Sequence, residues 1–178
     1  NVRMADTFLA IASARSVHDI RDALFKHQGS PWSNITAADR HGEVFFANIS
    51  VAGHVTDAQL ARCTVRNAPR LGPNLADVTV LDGADPRCAW TRDPREPQPG
   101  IIPAELRPWT IRRDVTLNSN DSHWFPGPAP LGRLEGYLQV IGPERSTRGE
   151  RTRVAALYAQ EFMKAGGPPL TPANWERL

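Results

Sequence analysis

With 178 residues and 40% apolar side chains, the chain is long enough to bury a core and reads as a single domain or a large piece of one. Its net charge of +2 comes from 21 basic residues spread among 19 acidic ones, with no Lys/Arg block, so a nucleic-acid partner is not expected. No apolar run nears the length of a membrane span, so no membrane partner is expected either.

The opening Asn1-Val2-Arg3-Met4-Ala5 does not read as a signal peptide, so any export signal is expected to have been removed or to lie on another piece. Met4, Phe8, Ile11 and Ala12 recur at helical spacing, which predicts a helix over the first 14 residues. A second helix starts at Ser16, where Ser16-Val17-His18-Asp19 has the form of a capping box with Asp in place of Glu. Val17, Ile20, Ala23 and Leu24 form its apolar face, Gly29 ends it and Pro31 prevents a restart. Strands are expected from Asn34 to Asp39 and from Glu43 to Ile49, joined by a turn at Arg40-His41-Gly42. The second carries Val44, Phe45, Phe46, Ala47 and Ile49, as a strand buried on both faces does.

Residues 51–110 form a Pro-rich excursion, since eight of the chain's 16 prolines lie between Pro69 and Pro108. Proline cannot donate to a sheet ladder, so this stretch is not central sheet. The only two cysteines, Cys63 and Cys88, fall in it. They are too few for a zinc site and are read as a disulfide, which implies an oxidising, periplasmic or secreted location. The alternative is two buried thiols. Asp77, Asp82 and Asp85 lack calcium-loop spacing, so no metal is expected.

The chain returns to the sheet from Trp109 to Asp114, with a further strand expected from Val115 to Asn120. The polar run Asn118-Ser119-Asn120-Asp121-Ser122 at its end brings side-chain amides to a strand tip, where they can donate to a developing oxyanion. Asp121 is read as shaping the turn, and His123 is not read as a partner of Ser119 or Ser122. Ser122 to Gly132 is a loop, and Tyr137 to Ile141 a short strand or buried segment. Thr147-Arg148-Gly149-Glu150 reads as another capping box. It opens a helix carrying Val154, Leu157, Tyr158, Glu161 and Phe162, which stops at Gly166-Gly167-Pro168; Leu170 to Leu178 is a polar tail.

Several of these motifs fall together in one order. Pro31-Trp32-Ser33-Asn34 followed by Ala37-Ala38-Asp39-Arg40-His41-Gly42 resembles the central hairpin of the penicillin-acylase family of N-terminal-nucleophile hydrolases, in the branch of the aculeacin and acyl-homoserine-lactone acylases. Val80-Leu81-Asp82-Gly83, Cys88-Ala89-Trp90, Pro99-Gly100-Ile101, Asn118-Ser119-Asn120-Asp121-Ser122 and Ile141-Gly142-Pro143-Glu144-Arg145 follow in that family's order. The match runs from about Ser30 to Arg153.

The resemblance implies an α/β fold, part of a four-layer αββα arrangement, with residues 1–178 as one portion of the catalytic β-subunit. It implies hydrolysis of an N-acyl amide such as an acyl-homoserine lactone, a lipopeptide or a penicillin, without a cofactor. In this family a Ser, Thr or Cys freed by autocleavage is the nucleophile and its own α-amine the base. Asn120 matches the oxyanion donor and Arg145 the arginine that braces it; Trp32 and Ser33 match the wall of the acyl pocket. Serine departs from the usual apolar residue at position 33. Calcium is not implied, because the aspartate that family members supply for it is missing. The nucleophile motif is absent from these residues, so the partner is the segment that carries it, and this chain alone is expected to be inactive. The alternatives are a non-catalytic fragment or binding module, and a carboxylate hydrolase using Asp39 or Asp121, for which no paired motif exists.

Overall fold

The structure is a computed structural model and describes residues 3–65, 79–128, 132–164 and 166. Two helices come first, α1 (Arg3–Ala12) and α2 (Val17–His27). The Ser16 capping box forms as expected: Asp19 N donates to Ser16 Oγ at 3.2 Å, and Asp19 Oδ2 accepts from Ser16 N at 3.0 Å. The left-handed residue that closes α2 is Gln28, at φ 44°, and not Gly29. Gly29 has a different role. A Cβ there would stand 2.2 Å from the Arg3 carbonyl, so only glycine lets the start of α1 approach so closely. Thr7 Oγ1 fixes the contact, accepting from Gly29 N at 3.1 Å while donating to Arg3 O.

Strands β1 (Ile35–Ala38), β2 (Val44–Ala47) and β3 (Trp109–Arg112) form one antiparallel sheet in the order β1-β2-β3. In the hairpin, Ile35 faces Ala47 and Ala38 faces Val44. Its turn is held by Asp39, whose Oδ1 accepts from His41 N and Glu43 N, and by Gly42 at φ 78°. Phe45 and Phe46 point to opposite faces of β2, and both are fully buried. Phe45, Ala47 and Ile49 pack with Val17 and Leu24 of α2 in the core. Burying a side chain such as Leu24 contributes about 1.5–3 kcal/mol. On β3, Trp109 meets Phe25 of α2 edge to face at 5.8 Å.

The expected apolar stripe of α1 is only partly used, since Met4 and Phe8 are exposed and Thr7 is the residue buried. The described residues show one small sheet with helices; the four-layer arrangement goes beyond them. Within the Pro-rich stretch, α3 (Asp57–Cys63) carries its own capping box from Thr56 and Gln59, which sequence reading did not single out. Asp77 lies outside the described residues, as does the tail from Leu170 to Leu178.

Cys63, at the end of α3, is bonded to Cys88 across 25 residues. A closed loop of that length contributes about 3 kcal/mol by limiting the unfolded chain. Replacing both cysteines with alanine is expected to lower unfolding free energy by about that amount in urea melts, and reductant is expected to shift only the parent protein.

The strand expected from Val115 to Asn120 does not form, and Tyr137 to Ile141 is neither a strand nor a buried segment. Residues 115–118 join no ladder; Leu117 N and Thr116 Oγ1 both donate to Pro126 O, at 2.9 and 2.8 Å. Between Tyr137 and Ile141 the chain makes a 3-10 turn, Gln139–Ile141. Around it, Gly136 N and Tyr137 N donate to Glu144 and Gln139 N to Asp57, while Ile141 N closes the turn onto Leu138 O. Helix α4 (Glu150–Lys164) forms, but Val154, Leu157 and Tyr158 are exposed. The carboxylate at its start belongs to Asp121, which accepts from Gly149 N at 3.1 Å and Thr152 Oγ1 at 2.9 Å; this replaces the expected Thr147–Glu150 box.

Candidate active site

The Asn118–Asp121 run is a side-chain-built turn. Asn118 Oδ1 accepts from Asn120 N at 2.9 Å, and Asn118 Nδ2 donates to Asp121 O at 3.0 Å. This closure turns Asn120 into the left-handed region, at φ 63°, a conformation that asparagine tolerates. Asn120 is exposed and its carboxamide makes no hydrogen bond to the described residues, so its two N–H donors are free.

The lead-in to β1 is tied to this turn. Asn34 Nδ2 donates to Asn118 Oδ1 at 3.2 Å and to Asp121 O at 3.4 Å. Trp32 is 90% exposed, so it is not a core aromatic of the described residues. Ser33 is half-buried, and its carbonyl lies 3.2 Å from Ser50 Oγ.

Asp121 joins the turn to α4. Its Oδ1 accepts from Ser122 N at 2.7 Å and from Arg148 Nη1 at 2.9 Å, while Oδ2 takes the α4 donors. Burial raises its pKa, but the N–H groups of Ser122 and Gly149, the Thr152 hydroxyl and the Arg148 charge together lower it below the usual 3.8. It is therefore an ionised brace. Arg148, with its side chain only 8% exposed, lies over the Trp124 ring at 5.0 Å and donates to the Ser146 carbonyl and hydroxyl.

Arg145 does not reach the turn. Its guanidinium donates to Glu135 Oε2 at 2.7 Å, and its side chain is 75% exposed. It sits at φ 51° beside an open hollow of ≈ 950 Å³ that is also lined by Asp57, Tyr137 and Glu144, and not by Asn120. The arginine hydrogen-bonded to the asparagine turn is Arg148, three residues on. Sequence reading passed over it, and over Asn34, although both lie within quoted motifs.

Ser122 and His123 do not form a catalytic pair. Ser122 Oγ donates to Pro143 O at 2.5 Å. His123 is fully buried, with Nε2 3.3 Å from Glu144 Oε1 and its ring edge-on to Tyr137. Burial pushes the His123 pKa below its usual 6.5, more than Glu144 raises it. The unfolded chain therefore takes up a proton that the folded one refuses. Stability contributed by neutral His123 is present above the unfolded pKa of 6.5 and is lost as pH falls below it. Asp121 and Glu144, both held low, add a second loss below their unfolded values of 3.8 and 4.5. The urea midpoint is expected to fall as pH drops below about 6.5, and His123→Gln is expected to remove that fall while keeping the loss near pH 4.

The exposed Asn120 amide is thus carried on a turn that Asn34 ties to the lead-in of β1. Comparison with known proteins names the class. The penicillin amidase family matches residues 1–174, and the chain belongs to that family. Aculeacin-A acylase of Actinoplanes utahensis is 38% identical over 161 residues, which is 90% of this chain and 20% of that protein. The acyl-homoserine lactone acylases PvdQ of Pseudomonas fluorescens Pf-5 and Pseudomonas syringae B728a are 38% and 35% identical, over 93% and 94% of this chain and 20% of each relative. The chain thus spans about one fifth of the length of the curated relatives it matches.

Proposed function

We propose that this chain is a portion of an acylase that cleaves the acyl group from an N-acyl amide such as an acyl-homoserine lactone, a lipopeptide or a penicillin, and that Asn120 supplies one of its oxyanion donors. The observation that carries this reading is the free Asn120 carboxamide on a turn tied at both ends. Asn34 holds it to the hairpin, and Asp121 holds it to Arg148 and α4.

In this reading the nucleophile is a Ser, Thr or Cys of another segment of the four-layer αββα enzyme, and its α-amine takes the proton. That amine has a pKa of about 8, suited to the task at neutral pH. The nucleophile attacks the amide carbon, the carbonyl oxygen gains charge, and Asn120 Nδ2 donates to it together with a backbone N–H from outside this chain. Collapse expels the amine with the proton and leaves an acyl-enzyme for water to resolve. No cofactor enters these steps. Trp32 and Ser33 form part of the acyl-pocket wall. The bracing role that the family pattern suggested for Arg145 falls to Arg148, because Arg148 is the arginine bonded to the turn. The Cys63–Cys88 bond supports a periplasmic or secreted setting.

The test is made on the full-length protein. Mass spectrometry is expected to find a mature segment that begins with Ser, Thr or Cys, and the processed protein is expected to release free acid from N-acyl-homoserine lactones or lipopeptides. Processing without hydrolysis of any N-acyl amide would favour a non-catalytic role; neither processing nor hydrolysis would overturn the reading.

A further inference from the structure

Among the described residues, Arg107 is a buried charge without a counter-charge. It follows the 3-10 turn Ala104–Leu106, precedes β3, and is 3% exposed. No carboxylate of the described residues pairs with it. Its Nε donates to Asn48 O at 3.0 Å and its Nη2 to Asn48 Oδ1 at 2.8 Å, while Nη1 is buried without a partner. Burial lowers its pKa to about 10, which still leaves it charged at neutral pH. An unpaired buried guanidinium is costly, and an apolar side chain of similar volume would stabilise the core better. Its fork is the feature an apolar residue lacks, because two donors fix the backbone and side chain of Asn48 together.

Asn48 is a hub. Its N–H donates to Pro108 O at 2.9 Å, which closes the link to the Arg107 segment from the other side. Ser50 Oγ lies 3.3 Å from Asn48 Oδ1 and 3.2 Å from Ser33 O, so its single proton is shared between the two acceptors and the hydroxyl stands between Asn48 and the lead-in of β1. Val51 N donates to Ser30 O at 2.8 Å and repeats the tie three residues earlier. The next residue after Ser33 is Asn34, which holds Asn118 and Asp121. A continuous path thus runs from Arg107 through Asn48 and Ser50 to Ser33, and on through Asn34 to the asparagine turn.

We propose that Arg107 is a positioning residue for the acyl pocket: by forking onto Asn48 it sets, through Ser50, where Trp32 and Ser33 stand relative to the Asn118–Asp121 turn. This rests on the acylase reading for its functional consequence, but the positioning itself is structural. Arg107 touches no substrate. Its effect falls on fit of the acyl chain, and so on KM, more than on the reacting atoms.

The experiment uses the full-length processed enzyme and its Arg107→Lys and Ser50→Ala variants, with short-chain and long-chain N-acyl-homoserine lactones. Lysine keeps the charge and loses the fork. Arg107→Lys is expected to raise KM for the long-chain substrate about five- to tenfold with kcat within about twofold, and to change the ratio of long-chain to short-chain kcat/KM. Ser50→Ala is expected to move the same ratio in the same direction by about two- to threefold, and it carries the test if Arg107→Lys does not fold. In both variants amide hydrogen exchange at Val51, whose N–H donates to Ser30 O, is expected to quicken while α1 is unchanged. Equal losses of kcat for both substrates alongside a lower Tm would assign Arg107 a merely structural role and overturn the proposal, as would unchanged exchange at Val51. If the parent enzyme hydrolyses neither substrate, the acylase reading fails on its own, and exchange at Val51 still decides the positioning.

Discussion

Asn120→Gly in the intact enzyme is expected to lower kcat by about 10²–10³ with little change in KM, the effect of removing one oxyanion donor. Glycine is the right replacement here, because residue 120 sits at φ 63°. Alanine in that region adds about 1–2 kcal/mol of backbone strain, which would mix loss of the turn with loss of the amide. Glycine keeps the backbone and removes only the carboxamide. Asn120→Asp adds a sharper version, since it retains the shape but sets a negative charge against a developing negative oxygen. Its kcat is expected to fall below that of the glycine variant. Steady-state kinetics on one N-acyl substrate checks both; a loss confined to KM would show that Asn120 binds substrate and does not stabilise charge.

Asp121→Ala is expected to destabilise the protein by about 2–3 kcal/mol in urea melts, reduced from the roughly 3–5 kcal/mol of a fully buried pair because the carboxylate keeps some solvent screening. One residue here satisfies Ser122 N, Gly149 N, the Thr152 hydroxyl and Arg148, and its side chain is 20% exposed. Without it, Arg148 is left largely buried with its charge unmet, and the start of α4 loses its acceptor. Because the same carboxylate fixes the turn that carries Asn120, kcat is expected to drop about tenfold even where the protein remains folded. Arg145→Ala, by contrast, is expected to leave the melting curve where it was, because that side chain lies in solvent on Glu135. Equal effects at positions 121 and 145 would contradict the assignment of the brace to Arg148.

The local features of this fold were legible in the sequence. Ser16 and Asp19, three residues apart, announced their capping box; the Asp39–Gly42 turn and the run of Val44 to Ala47 announced a hairpin with a doubly buried strand. The cysteine pair was legible because two thiols without nearby ligands have few other uses. The misread elements share a cause: distant partners take up their polar groups. Val115–Asn120 fails as a strand because Pro126 O takes its donors and Asn118 folds the chain on itself. Tyr137–Ile141 forms no strand because Glu144 takes the Tyr137 N–H and Asp57 the Gln139 N–H. Arg145 lies on Glu135, and the arginine contact to the turn spans 27 residues from Asp121 to Arg148, which no local pattern reveals. Gly29 was read as a helix stop, although its lack of a side chain serves a contact with Arg3 that no local pattern reveals.

The central claim is that the Asn120 amide donates to the oxygen on which charge develops. The most direct measurement is a crystal structure of the intact processed enzyme carrying a tetrahedral acyl phosphonate on its nucleophile. Asn120 Nδ2 is expected at about 2.7–3.1 Å from the phosphonyl oxygen, with Asp121 still on Arg148. An Asn120 side chain turned to solvent, more than about 5 Å from that oxygen and with another side chain donating in its place, would contradict it.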